Sequence, residues 1–332
     1  MSTSISPRPA AVRPHRGLAR TTTAVRLALF AGLLAGLAGG CGTHSGSAPA
    51  RQAAASGGGA FPVAVAAVNG TVRIAKRPVA IVSLSPTATE MLYAIGAGPQ
   101  VKAVDSLSDY PRQAPRTALS AYNPNIEAIV AEKPDLVVAS NDIGLLTRRL
   151  AAFSVPVLAL PAPSNLSGVY TQFRELGQAT GHERQAGVAV SALRATIARI
   201  VAAAPHRTRP LTYYYELDPN YYSLTSKTFV GSLFTSAGLT NIADASSASN
   251  PYPQLSAEVI VKQNPDLIFL ADTKCCGQSA QSVGKRAGWN QITAVQNGQV
   301  IALDDDIASR WGPRIVDLFR AITEAAAKAP VG

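Results

Sequence analysis

The sequence predicts an α/β fold of two similar lobes, each built on a mainly parallel central sheet, joined by one long α-helix with a cleft between the lobes. Three observations carry this. Asn125-Ile126-Glu127 leads seven residues later into Pro134-Asp135-Leu136-Val137-Val138, and Ser256-Ala257-Glu258 leads likewise into Pro265-Asp266-Leu267-Ile268-Phe269, so one helix-then-strand unit occurs twice. Similar elements surround both copies in the same order. Between the copies, residues 183–204 contain no Pro and repeat their aliphatic side chains at helical spacing.

Residues 1–40 read as a leader rather than as part of the fold. Arg8, Arg13, Arg16, Arg20 and Arg26 form a basic segment without an acid, followed by the apolar run Leu27 to Ala38 and then Gly39-Gly40-Cys41. That run is shorter than the roughly 20 residues a membrane-spanning helix needs. A Ser/Gly/Ala-rich stretch over 41–60 is too poor in large apolar residues to pack and reads as a tether.

The first lobe is expected over 61–180. Val79 to Leu84 reads as a strand and Thr87 to Ile95 as a helix stopped by Gly96. Asn125 is placed to cap the next helix, with Glu127 in its first turn, and Leu136 to Ala139 is a strand buried on both faces. Val155 to Leu160 reads as a further strand. A linking helix over 181–205 follows; its 22 core positions, 183–204, would span roughly 33 Å at 1.5 Å per residue and act as a stiff strut. The second lobe, 206–332, repeats the order: Leu211 to Leu217, Phe229 to Ala237 before Gly238, a helix capped by Ser256 with Glu258 in its first turn, Leu267 to Leu270, and Gln299 to Leu303.

Charge and chemistry narrow the function. The chain is +10 overall, but the leader holds five of the arginines, leaving about +5 with no clustered basic run, so nucleic acid is not an expected partner. No G-x-S-x-G, P-loop, G-x-G-x-x-G or H-E-x-x-H occurs. His15, His44, His182 and His206 have no partners at metal-ligand spacing, so neither a metal site nor a cofactor is expected, and a hydrolase built on Ser83, Ser85 and Asp109 would lack a base. Cys275-Cys276 reads as a vicinal disulfide or a turn with two thiols, with a redox loop or soft metal contact as alternatives. Tyr110, Tyr122, Tyr221, Tyr222 and Tyr252 sit in loops at matching places in both lobes, rigid surfaces with a polar tip that suit a large flat ligand.

Arg77-Pro-Val-Ala-Ile-Val-Ser-Leu-Ser-Pro-Thr-Ala-Thr-Glu-Met-Leu-Tyr-Ala-Ile-Gly96, Ser108-Asp-Tyr-Pro111, the segment Asn125 to Leu136 and Trp311-Gly-Pro-Arg-Ile315 resemble the substrate-binding proteins of ABC importers for cobalamin, ferric siderophores and haem. The resemblance runs over about residues 72–325, and within the family the Ser-Leu-Ser-Pro-x-Ala-Thr-Glu and Ser-Asp-Tyr-Pro stretches look most like cobalamin binders. Leu37-Ala-Gly-Gly-Cys41 resembles the bacterial lipobox, with Ala38 where that pattern usually has Leu; a plain signal peptide or an uncleaved anchor is the alternative. The resemblance implies a lipid on Cys41, a monomer on the outer face of the membrane, a permease and its ATPase as partners, a metal chelate as cargo and no catalysis. It implies that Glu127 and Glu258 dock onto permease arginines, that Tyr110, Tyr122 and Tyr252 are aromatic pocket positions, and that Asp306 and Arg310 face the ligand; the Tyr221-Tyr222 loop joins them less directly. A corrinoid is the first expectation, a ferric siderophore or haem the alternative. A ligand-sensing lipoprotein without transport is the rival of another class.

Overall fold

The computed structural model describes residues 61–204, 207–246 and 249–330, so the leader, the tether, Cys41 and His206 lie outside the described residues. An antiparallel hairpin, β1 (Val63–Ala67) and β2 (Gly70–Ile74), comes first. The first sheet contains β3 (Ile81–Leu84), β4 (Val101–Val104), β5 (Leu136–Ala139) and β6 (Val157–Ala159), all parallel, in the order β4-β3-β5-β6. The second contains β7 (Thr212–Glu216), β8 (Thr240–Asn241), β9 (Leu267–Leu270) and β10 (Val300–Ala302), also parallel, in the order β8-β7-β9-β10. Strand for strand the two orders are the same. The repeat seen in the sequence is therefore a repeat of topology.

The repeated residues have matching work in both lobes. Asn125 caps α2 (Ile126–Ala131; α1 is Pro86–Ala94) by accepting from the Ala128 amide, and Ser256 caps α7 (Ala257–Gln263) by accepting from the Val259 amide. The Asp of each Pro-Asp ties its strand to the central neighbour: Asp135 accepts from the amides of Val79 and Ala80 ahead of β3, and Asp266 from Thr212 at the start of β7. Asp266 also receives both arms of Arg209, at 2.8 and 2.9 Å, which outweighs the upward push of burial and holds its carboxyl below the usual range.

Around these strands lie α3 (Leu146–Ala151), α4 (Leu166–Thr180), α5 (Glu183–Ala202), α6 (Phe229–Ser236), α8 (Thr273–Cys276), α9 (Ala280–Gly284), α10 (Thr293–Gln296), α11 (Asp305–Ser309) and α12 (Ile315–Lys328). The outer face of the first sheet packs on α2 and α3 through Ile126, Ile129, Leu146 and Leu150, and that of the second on α7, α9 and α10 through Ile260, Val283 and Ala294. The other faces share one continuous core: Ile81, Met91 and Phe173 of the first lobe connect through Ala186, Val190, Leu193 and Ile197 of α5 and Phe319 and Ile322 of α12 to Tyr213, Tyr215, Phe234 and Phe269 of the second.

The linking helix, which starts at the expected residue and ends two residues before the expected 204, is thus embedded between α4 and α12 rather than a bare strut. Gly177 makes the α4–α5 approach possible, since a Cβ there would stand 2.6 Å from that of Ala186. The hairpin, β4, α4 and α12 have no sequence expectation above. A shared apolar core resists wide hinge opening, because any large rotation would expose it to water.

Candidate functional site

The parallel strands place the loops after their C-terminal ends at one side of each sheet, where open α/β folds gather ligands. A cavity of about 530 Å³ lies there between the lobes, within the size range of ordinary ligand pockets. The first lobe lines it with Leu84, Thr87, Asp105, Leu107, Tyr122, Ser140 and Asn141, and the second with Asp306, Ser309, Arg310 and Trp311. Hydroxyls brace the first-lobe wall: Ser140 donates to Ser85 Oγ, Ser85 caps α1 through the Ala88 amide, and Thr89 joins Ser83 and Ser108.

An ion cluster crosses the cleft beside the cavity. Glu90, on the buried face of α1 and 1 % exposed, accepts from Arg310 at 3.2 Å and from Arg314 at 3.0 and 2.5 Å. Arg310 donates further to Asp109 at 2.8 Å, to the Leu107 carbonyl and to Asp306 at 2.6 Å. Burial pushes the Asp109 carboxyl up, but the Arg310 bond and charge outweigh it and hold it below the usual carboxylate range. The Arg314 guanidinium lies 4.4 Å above the ring of Tyr110, and Trp311 donates to Gln172 of α4.

Four of the seven expected ligand residues therefore meet at the cleft: Tyr122 as an exposed wall, Asp306 and Arg310 on the cavity, and Tyr110 under Arg314 at its edge. The other three do not line the cavity. Tyr221 is taken up by its own lobe, its ring stacked on Trp289 at 5.8 Å with Arg286 5.3 Å above it. Tyr222 and Tyr252 are half-exposed in the loop segments where Tyr222 bridges Gln254. Glu127 and Glu258 are both exposed in the first turns of α2 and α7, at equivalent places in the two lobes, and the Ser256 hydroxyl helps hold the Glu258 carboxyl below its ordinary value. Sequence reading passed over Glu90, Arg314 and Asp105. A Glu on the apolar stripe of α1 was a usable signal, because a buried charge demands a partner.

A family described as periplasmic binding protein matches residues 81–307. The chain belongs to the periplasmic binding protein family. This binding protein is 30% identical over 275 residues to an uncharacterized ABC transporter substrate-binding lipoprotein, YvrC, of Bacillus subtilis, covering 80% of this chain and 85% of that one. It is 30% identical over 321 residues to the cobalamin-binding protein of Halobacterium salinarum, covering 94% and 85%. Among solved structures it is similar to the periplasmic vitamin B12 binding protein BtuF of Vibrio cholerae, with a TM-score of 0.63, 26% identity, and 75% and 96% of the two chains covered. A possible iron-binding periplasmic protein of Staphylococcus epidermidis gives a TM-score of 0.67 at 26% identity, covering 75% and 99%. The expected extracytoplasmic substrate-binding protein with two parallel-sheet lobes is thus what the family and the fold show.

Cys275 and Cys276 of the binding protein are disulfide-bonded and exposed on α8, whose first amides donate to Asp305. Lys274 beside them bonds Asp304 and Asp306, linking this turn to Arg310. Beneath it, Glu216 is fully buried and held by both arms of Arg286 at 2.6 Å. Asp272 is fully buried next to them, and burial followed by the Glu216 charge pushes its carboxyl up to about 7, with Tyr214 on the same cluster. Between about pH 4 and 7 the folded chain thus holds a proton that the unfolded chain releases. Stability from this group is complete below pH 4 and is lost as the pH rises through 7. Asp272→Asn, which is neutral at any pH, is expected to match the wild type near pH 4.5 and to exceed it by on the order of 3 kcal/mol at pH 8. Urea denaturation at the two pH values checks this; an equal difference at both would refute it.

Proposed function

We propose that the protein captures a corrinoid chelate in the cleft and delivers it to an ABC permease with its ATPase, as a monomer held to the outer membrane face by a lipid on Cys41. The observation that carries this reading is the interlobe cavity walled by Tyr122 on one lobe and by Trp311 and Arg310 on the other, in a chain similar to cobalamin and vitamin B12 binders. Aromatic faces supply stacking area for a flat macrocycle, and polar loop groups fix its edge. Capture is a binding event and needs no activated nucleophile. Rocking of the lobes about the shared core admits and releases the cargo, shifting a population between two arrangements.

Ferric-chelate binding is the second reading, favoured by the likeness to the possible iron-binding protein of Staphylococcus epidermidis. Titrating the full chain in detergent with cyanocobalamin, haemin and a ferric hydroxamate, followed by Tyr/Trp fluorescence, separates the two. Cyanocobalamin is expected to bind at least about tenfold tighter than the other two. Tighter binding of either iron chelate would replace the first reading with the second. The mass of the same preparation reports an acyl chain on Cys41, and an unmodified thiol there would remove the anchoring role.

A further inference from the structure

The disulfide Cys275–Cys276 has no part in capture, and its place in the fold sets it apart from an ordinary crosslink. A disulfide stabilises mainly by closing a long loop in the unfolded chain, and one between neighbouring residues closes none. What it fixes is the peptide between them, which it shuts into a small ring. Both residues are exposed, so a thiolate can reach the sulfurs. The ring is also joined to the wall of the interlobe cavity. The amides of Thr273, Lys274 and Cys275 donate to the Asp305 carboxylate at 3.0, 2.9 and 2.9 Å, and the Thr273 hydroxyl reaches it at 2.7 Å. Burial pushes that carboxyl up, but these bonds outweigh it and hold it below the usual range, so the turn and Asp305 are coupled in energy. Lys274 Nζ bonds Asp304 at 2.9 Å and Asp306 at 2.8 Å. Asp304 caps α11, and Asp306, Ser309 and Arg310 line the cavity. Three successive amides, the last that of Cys275, thus hold the start of the helix that carries the second-lobe wall.

We propose that Cys275–Cys276 is a thiol-exchange site, at which a dithiol reductant opens the ring and thereby loosens the second-lobe wall of the cavity. A thiolate of the dithiol attacks one sulfur, the other leaves as the thiolate of its cysteine, and the reductant's second thiol then displaces the protein from the mixed disulfide. The binding protein ends with two thiols and the reductant with one disulfide, a transfer of two electrons and two protons. Outside the cytoplasm the pair stays closed, so the closed form is the one with the wall held. Once the ring is open, the 275–276 peptide is free to rotate. The single turn of α8 is too short to stay wound by itself, and its amides leave Asp305. Asp306 and Arg310 then lose a fixed neighbour. The consequence for cargo rests on the reading that the interlobe cavity holds the ligand; the exchange site itself does not.

The full chain in detergent is treated with dithiothreitol under native conditions, alkylated with iodoacetamide, freed of reagent and mapped by peptide mass. Both cysteines are expected to carry the label; a bond that opens only after denaturation would overturn the site. Hydrogen exchange read by mass is the second measurement and needs no ligand. The amides of Thr273, Lys274 and Cys275, and those of Asp306 and Ile307, which donate to Asp304, are expected to exchange about tenfold or more faster in the reduced chain. Calorimetry with cyanocobalamin is the third, its affinity expected to fall about fivefold or more on reduction. The double variant Cys275→Ser, Cys276→Ser, checked for fold by circular dichroism, is expected to behave as the reduced chain whether or not dithiothreitol is added. That arm separates ring opening from the bulk of the alkyl groups. Unchanged exchange at Asp306 and Ile307, or a cyanocobalamin affinity within about twofold of the oxidised chain, would overturn the proposal and leave the corrinoid reading standing. If cyanocobalamin binds neither form, the corrinoid reading fails alone and hydrogen exchange decides the proposal.

Discussion

Glu90→Ala is expected to lower the unfolding free energy by about 3–5 kcal/mol, the usual cost of removing one partner from a buried ion cluster. Its carboxylate is the shared acceptor of Arg310 and Arg314, whose side chains are only 9% and 20% exposed. Arg310 would keep Asp109 and Asp306, but Arg314 would lose the carboxylate that both its hydrogen bonds reach. Gly312 packs against the same side chain, with a Cβ there 3.1 Å from Glu90 Oε2, so truncation also leaves unfilled space. Urea denaturation is the measurement, with an unchanged slope showing that only stability moved. Adding Arg314→Met to Glu90→Ala is expected to recover part of the loss, because the stranded cation goes with it. A single-variant loss below about 1 kcal/mol would show that the lobes are tied chiefly by the apolar core.

The double variant Glu127→Ala, Glu258→Ala is expected to reduce uptake of the cargo to background in cells while ligand affinity stays within about twofold of the wild type. Both side chains are exposed, each stands in the first turn of a short capped helix, and neither lines the cavity. Folding should lose little, since an acid near a helix N-terminus contributes about 0.3–1 kcal/mol. What is lost is a pair of charges that orient docking on a membrane partner, an effect on encounter and register. Uptake assays with radiolabelled cyanocobalamin, set beside calorimetry on the purified variant, decide it. Normal uptake would mean that neither Glu docks onto the permease.

Local signals explain how much of the fold was readable beforehand. Asn125, Ser256, the two Pro-Asp pairs and the all-apolar runs at Leu136 and Leu267 each depend on neighbours within a few residues, and the strands they announce begin and end where expected. The hairpin β1–β2 and the two-residue β8 carry weak alternation, so their pairing partners decide them. Tyr221 shows the same limit on the functional side. Its loop position and residue type fit a ligand wall, but the ring found Trp289 and Arg286, which lie almost seventy positions further along.

By itself the sequence determined two related halves, their parallel sheets, the helix between them and membership of a binding-protein family, because period, caps and repeat length are short-range properties written in order along the chain. Only the tertiary structure decided that the halves share one core and that Glu90 meets Arg310 across 220 positions to form a charged cluster beside the cavity. The reason is physical: the worth of a charge or a ring is set by what surrounds it after burial, and no local pattern encodes which distant partner arrives.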